Sequence, residues 1–255
     1  MKINPNILRK KVIDMVVAKQ SGHIGGAFSM AELTAVLYED YDIGGKDKLI
    51  LSKGHAVPII YAVLHELGKI TDEELDLFRE IDSPLQGHPD KLRLPLMDAT
   101  TGSLGQGLSI AIGHSYGKNL SDDCGTVFCV LGDGELQEGQ VWEALMHYPM
   151  SGLSNLVCII DWNKAQNDGY SDEFSIMYDN LKERITSFGW DTKLINGHDM
   201  DLIRSTLATK EHDQPLCIIL DTVKGKGVSF MEDPSWHCKV PTEEEYEIAM
   251  KELGV

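Results

Sequence analysis

The hydrophobic rhythm of the chain changes near residue 126. Ahead of that point apolar residues recur at helical spacing. Ile7, Leu8, Val12, Met15 and Val16 share one face behind Asn4-Pro5, an N-cap residue followed by proline at the first helical position. Ser29 with Glu32, and Thr71 with Glu74, have the spacing of a capping box. The first pair precedes Leu33, Val36 and Leu37, and the second precedes Leu75 and Phe78. Residues 1–120 or so are therefore predicted to be rich in helix. From Thr126 onward short apolar runs take over, at Val127–Leu131, Leu156–Ile160, Lys193–Ile195 and Leu216–Leu220. Between them lie helical segments such as Met177–Phe188 and Leu202–Ala208. Strands that alternate with helices predict an α/β fold, a mainly parallel sheet with helices on both faces. No repeat, low-complexity tract or linker is visible, so a single domain over residues 1–255 is expected.

Composition narrows the choice of partner. With 42% hydrophobic and 25% charged residues the chain has the make-up of a globular protein, not a disordered one. A net charge of −17 repels phosphate backbones and speaks against nucleic acid or an anionic membrane as partner. The same charge makes a bound diphosphate costly unless a metal cation accompanies it. No stretch approaches the roughly 20 apolar residues of a membrane span, and Met1-Lys2-Ile3-Asn4-Pro5 has no export signal behind its lysine. The five cysteines form no C-x-x-C, and Cys129, Cys158 and Cys217 sit inside apolar runs as small hydrophobes. A reduced, cytoplasmic location is expected.

Candidate chemistry gathers at the strand ends. Val127–Leu131 runs into Gly132-Asp133-Gly134-Glu135, followed by Leu136 to Met146, which reads as a helix. Asp133 is thereby placed at the carboxyl end of a buried strand, where open α/β sheets bind ligands. The glycines permit a sharp turn, and the helix start offers free N–H groups to an anion. The next run, Leu156–Ile160, ends in Asp161-Trp162-Asn163-Lys164-Ala165. Two successive strands thus deliver a carboxylate and a carboxamide to one sheet edge. Magnesium wants about six oxygens, commonly one or two from side chains and the rest from phosphates and water. Asp133, Asn163 and the carbonyl of Ala165 could supply the protein share. Gly-Asp-Gly alone is more often a turn than a metal site. Asn163, thirty residues beyond Asp133 at a second strand end, reverses that preference. This spacing resembles the thiamine diphosphate signature of a broad superfamily.

Four histidines lie beside glycine or in loop-like contexts: His23, His55, His88 and His237. Imidazole can donate to a phosphate or sugar oxygen and exchange a proton near neutral pH. His65, His114, His147, His198 and His212 read as surface or internally satisfied residues. No H-x-x-x-H or C-x-x-C spacing supports zinc. Thr101-Gly102-Ser103-Leu104-Gly105-Gln106-Gly107 has the order G-x-x-G-x-G, not the dinucleotide pattern G-x-G-x-x-G, and no strand is read ahead of it.

Taken in order, Ser21-Gly22-His23, Leu51-Ser52-Lys53-Gly54-His55-Ala56, Gly87-His88-Pro89, Thr101–Gly107, Gly132–Gly139, Asn163 and Lys224-Gly225-Lys226-Gly227 resemble the amino-terminal, diphosphate-binding domain of transketolases. The resemblance implies that Asp133, Asn163 and the Ala165 carbonyl hold Mg²⁺. His55, Gly134, Asn163 and His237 would contact the diphosphate, and Gly102, Ser103 and Leu104 would border the aminopyrimidine. His23, His88 and His237 would face the sugar and handle its protons and hydroxyls. Glu138 and Glu143 match family carboxylates at a subunit interface; the other reading is a solvated helix face. The sequence departs from many relatives in carrying Ile24 after His23, and around His237 it is less similar than elsewhere.

Transketolases continue into a pyrimidine-binding domain, which carries the glutamate that protonates the cofactor's aminopyrimidine ring and most of the basic residues that grip the sugar phosphate. The sequence stops at Val255. The expectation is a split transketolase: a separate carboxy-terminal, pyrimidine-binding partner chain supplies that glutamate, in a two-plus-two hetero-oligomer. The reaction implied is transfer of a two-carbon ketol unit from a ketose phosphate to an aldose phosphate. The alternatives are a related thiamine diphosphate enzyme for another sugar and a non-catalytic, cofactor-binding subunit.

Overall fold

The computed structural model describes residues 2–166, 169–170, 179–210 and 213–255. Asn4 caps the first helix, α1 (Pro5–Lys19), its side-chain oxygen accepting from the Asn6 amide at 2.9 Å. Two further helices, α2 (Gly25–Phe28) and α3 (Ala31–Asp40), are buried over most of their lengths. The capping box expected at Ser29 and Glu32 is absent. Met30 is the N-cap of α3 and makes no side-chain cap. The Ser29 hydroxyl turns inward and donates to Asp161 Oδ2 at 2.5 Å. Glu32 accepts from Arg9 Nη2 at 2.7 Å and meets His198 Nδ1 at 3.0 Å. A buried carboxylate exacts its hydrogen bonds before an N-terminus does.

A strand not read from the sequence follows, β1 (Lys48–Leu51). Next come α4 (Pro58–Glu66), buried on nearly every side, and α5 (Asp72–Leu75). The Thr71–Glu74 box stands as expected, with reciprocal bonds of 3.2 and 2.9 Å. Beyond α6 (Gly107–Leu120) the alternating pattern sets in: β2 (Val127–Gly132), α7 (Gly139–His147) and β3 (Leu156–Trp162). A short antiparallel pair, β4 (Ala165–Gln166) and β5 (Gly169–Tyr170), leads on to α8 (Leu181–Ser187) and β6 (Asp191–Asn196). The chain continues through α9 (Met200–Ala208), β7 (Leu216–Asp221) and α10 (Glu243–Leu253). The segment read as one helix from Leu136 to Met146 is two pieces, a 3₁₀ turn Gly134–Gln137 and then α7, parted at extended Glu138. The start of the helix expected from Met177 lies outside the described residues, as does His212.

Among the described residues the main sheet has the order β1-β2-β3-β7-β6, and every pairing in it is parallel. Alternate residues of each strand feed two apolar layers. Phe128, Val130, Val157, Ile159, Ile218 and Leu220 pack under α1, α3, α4, α9 and α10. Val127, Leu131, Ile160 and Ile219 face α6, α7 and α8. Both faces of the parallel sheet are thus covered, as expected. Cys129, Cys158 and Cys217 stand side by side across three strands in the second layer, fully buried with free thiols. Burial pushes the thiols of Cys129 and Cys217 up, so they stay protonated and pack as small apolar groups. Among the described residues, no helix is long and apolar enough to cross a membrane.

Candidate cofactor and metal site

The site lies where β2 and β3 end. Their register pairs Gly132 with Asp161, so Asp133 and Asn163 emerge from neighbouring strands at the same sheet edge. Asp133 bridges the two loops. Its Oδ1 accepts from the Gly134 amide at 2.8 Å, and its Oδ2 accepts from the Lys164 amide at 2.7 Å. Lys164 takes a left-handed φ of 63° to present that amide. Asn163 is held at both ends. Its Nδ2 donates to Asp161 Oδ2 at 3.0 Å, and its Oδ1 accepts from the Ala165 amide at 3.2 Å.

A cavity of about 430 Å³ opens over these loops, within the range typical of small-ligand sites. Asp133, Gly134, Asn163, Ala165, His55, Leu104 and His237 all line it, together with Lys53, Glu135, Gln166 and Lys224. Gly102 and Ser103 do not. Gly102 instead packs against the ring of His88, where a Cβ would come within 2.9 Å. His23 and His88 also lie off the cavity wall, yet the four histidines form one group. His23 is 5.5 Å from His55, 5.9 Å from His88 and 5.2 Å from His237, ring centre to ring centre, and His55 is 5.2 Å from His237.

Beneath the cavity, fully buried Asp161 accepts from Lys53 Nζ, from Ser29 and from Thr222, the last two at 2.5 Å. Burial works to raise Asp161, but Lys53 and the two hydroxyls outweigh it and hold the carboxyl below its ordinary range. Asp133 has the opposite fate. Burial first, and then the charge of Asp161, push it up to about 7, against the pull of the two amides. Burial also raises Glu135, which accepts from Ser52, from the Gly105 amide at 2.8 Å and from the Gly132 amide at 3.1 Å. It thereby ties the glycine loop to the Asp133 loop.

These residues fit a magnesium diphosphate. A dication beside Asp133 would offset the two effects that keep its charge unfavourable. Gly26 leaves room in front of two basic groups, since a Cβ there would lie 3.2 Å from His55 Nε2 and 3.5 Å from Lys53 Nζ. The amide nitrogen of Gln166, on the cavity wall, is buried without a partner and can donate to an anion. His55 is held well below its ordinary pKa by burial and then by Lys53, so its ring is neutral.

Lys53, Glu135, Asp161 and Lys224 belong to the site but were not among the residues singled out from the sequence. Glu135 adjoins Gly134 and Lys53 lies two residues before His55 in the motifs, and that proximity was the available signal. The fold also brings the ligating atoms of His23, His237 and Cys238 within 4.8 Å of one another, despite the lack of a metal spacing. The Arg79 guanidinium beside His23 sets a fixed positive charge against a transition metal there.

Fold and loops together define a thiamine diphosphate-binding α/β domain. The chain belongs to the transketolase family: the description "Transketolase, thiamine diphosphate binding domain" matches residues 2–255. It is 37% identical to the 6-deoxy-6-sulfo-D-fructose transketolase subunit SqwG of Clostridium sp. (strain MSTE9), over 97% of this chain and 94% of that protein. It is 36% identical to an apulose-4-phosphate transketolase subunit from Phocaeicola vulgatus, over 96% of this chain and 91% of that protein. Human transketolase is 39% identical across 94% of this chain, which spans only 40% of that longer protein. Among solved structures, transketolase from Campylobacter jejuni superposes with a TM-score of 0.88 at 31% identity, over 98% of this chain and 42% of that one.

Proposed function

We propose that this chain is the diphosphate-binding subunit of a two-chain transketolase that moves a two-carbon ketol unit from a ketose phosphate to an aldose phosphate. The observation that carries the reading is the paired delivery of Asp133 and Asn163 by two registered strand ends into a cavity walled by Lys53, His55, Lys224 and His237. Asp133, Asn163 and the Ala165 carbonyl hold Mg²⁺. His55, Gly134, Asn163 and His237 hold the diphosphate, with Gly102, Ser103 and Leu104 beside the aminopyrimidine. Thiamine diphosphate, when bound, supplies the carbanion chemistry.

The residues of this chain orient the reactants and exchange protons. His23, His88 and His237 face the sugar, and the His23 ring lies 5.5 Å from His55, 5.9 Å from His88 and 5.2 Å from His237. Asp161 aims Asn163 by accepting from its Nδ2, and Oδ1, which accepts from the Ala165 amide, keeps a second lone pair for the metal. Glu138 and Glu143 are exposed, as residues awaiting a second subunit would be. The glutamate that protonates the aminopyrimidine comes from a separate pyrimidine-binding, carboxy-terminal partner, in a two-plus-two assembly. Two relatives named as transketolase subunits and matched over more than nine-tenths of their length support that division. Their names specify different sugars, so the donor and acceptor are left to assay.

Two experiments test this. Asp133→Ala should weaken Mg²⁺-dependent thiamine diphosphate binding by more than about 100-fold in titration calorimetry, beyond the loss usual for an outer-shell change. Unchanged affinity would remove Asp133 from the metal site. A coupled transketolase assay on the purified chain with Mg²⁺ and cofactor should show turnover only after the partner is added. Substantial turnover by the chain alone would sink the two-chain reading.

A further inference from the structure

Arg79 occupies a costly backbone conformation. Its φ of 60° lies in the left-handed region, which disfavours a side chain as bulky as arginine. Its amide is bonded to the Leu85 carbonyl at 2.8 Å, which fixes the turn. From there the side chain crosses to the histidine group. Nη1 donates to Ser21 Oγ at 2.5 Å, and Nη2 lies 3.3 Å from His23 Nδ1. Gly87 makes the space, because a Cβ at that position would sit 2.5 Å from Nη2. Strained backbone, a glycine vacated for the guanidinium and the Ser21 bond together set Nη2 against one ring nitrogen.

A guanidinium can only donate, so the nitrogen that meets it must be an acceptor. His23 Nδ1 therefore carries no proton, and a neutral ring must carry its single proton on Nε2. We propose that Arg79 is a positioning residue that locks His23 as the neutral Nε2–H tautomer, making it a fixed hydrogen-bond donor and not a base. Burial first, then the charges of His237, Arg79, His88 and Lys224, holds its pKa down to about 3, in keeping with a ring that stays neutral. The tautomer rests on the contacts alone; only its use toward the sugar rests on the function proposed above. There His23 would donate to a substrate oxygen throughout turnover, and proton acceptance would fall to His237 or His88.

Long-range proton–nitrogen correlation spectra of the full chain labelled with ¹⁵N-histidine test this without an activity assay. His23→Gln assigns the resonance. In the wild type His23 should show the Nε2–H pattern and stay neutral at pH 5. Arg79→Met should turn that pattern into a tautomer mixture and let the ring titrate at higher pH. Gly87→Ala should act in the same direction, since it displaces the guanidinium while keeping the arginine. Arg79→Lys should restore part of the wild-type pattern. An Nδ1–H ring in the wild type would overturn the proposal, and that result needs no variant to fold. So would unchanged His23 resonances in an Arg79→Met chain whose circular dichroism is native.

Discussion

Asp161 has no exposed surface, yet it gathers bonds from Ser29, Lys53, Asn163 and Thr222, and so holds together three loops and the end of β3. Lys53 is itself only 1% exposed and depends on that carboxylate for its counter-charge. Asp161→Asn keeps the shape but leaves a buried ammonium without its partner, and should cost about 3–5 kcal/mol. Urea unfolding measures this; a loss under about 1 kcal/mol would show that Lys53 finds another anion. At this scale the sequence was only partly legible. Asp133 and Asn163 stand in motifs whose spacing carries meaning. Asp161 takes its role from Ser29 and Lys53, which lie 132 and 108 residues away. No local pattern encodes such a contact, and at Ser29 a local pattern pointed instead to a helix cap.

At the scale of elements, α10 shows what a short motif can do. Thr242 and Glu245 form a capping box, with the Glu245 amide donating to the Thr242 hydroxyl at 3.2 Å and the Thr242 amide to the Glu245 carboxylate at 2.8 Å. The helix then leans on α1 through Tyr246, whose hydroxyl meets Asp14 at 2.8 Å, and through Asn6, which donates to the Leu253 carbonyl at 3.0 Å. Thr242→Ala should cost about 1 kcal/mol. Hydrogen exchange should locate the change at the first turn of α10 and leave the sheet amides protected. The box has the same Thr-x-x-Glu spacing as the one at Thr71, which the sequence makes legible. The missed strand has a different cause. Lys48–Leu51 is four residues long, and a run that short has no period to separate strand from helix. It is a strand because β2 offers it an open edge. The long β2, β3 and β7 had no such ambiguity, being apolar on both faces and bounded by turn residues.

For the molecule as a whole, half-buried His23 ties stability to pH. His23 takes up a proton near pH 6.5 when the chain is unfolded, but only near pH 3 when folded. Between those values the unfolded state binds more protons, so this ring's contribution is complete above pH 6.5 and is lost progressively as pH falls toward 3. Asp133 acts in the opposite sense, because its folded pKa is raised. The total slope is therefore a sum of opposing contributions, and the comparison with a variant isolates one of them. Between pH 7 and 5 the urea midpoint of the wild type should fall more steeply, or rise less, than that of His23→Gln. Parallel curves would show that the His23 ring protonates freely in the folded protein.

The pairing of Gly132 with Asp161 acts as a ruler on which the chemistry is marked off. Lengthening β2 by one residue would advance its end by about 3.3 Å and turn every later side chain to the opposite layer. Asp133 and Asn163 would then no longer meet, even in a sheet that still forms. The exposed bend at 121–124, where Asp122 already takes a left-handed φ of 53°, lies ahead of the ruler's zero mark. An alanine inserted there should leave cofactor affinity within a few-fold of the wild type, whereas one inserted between Val130 and Leu131 should abolish it. Calorimetry on the two insertions would show that this chain tolerates added length on one side of a strand and forbids it on the other.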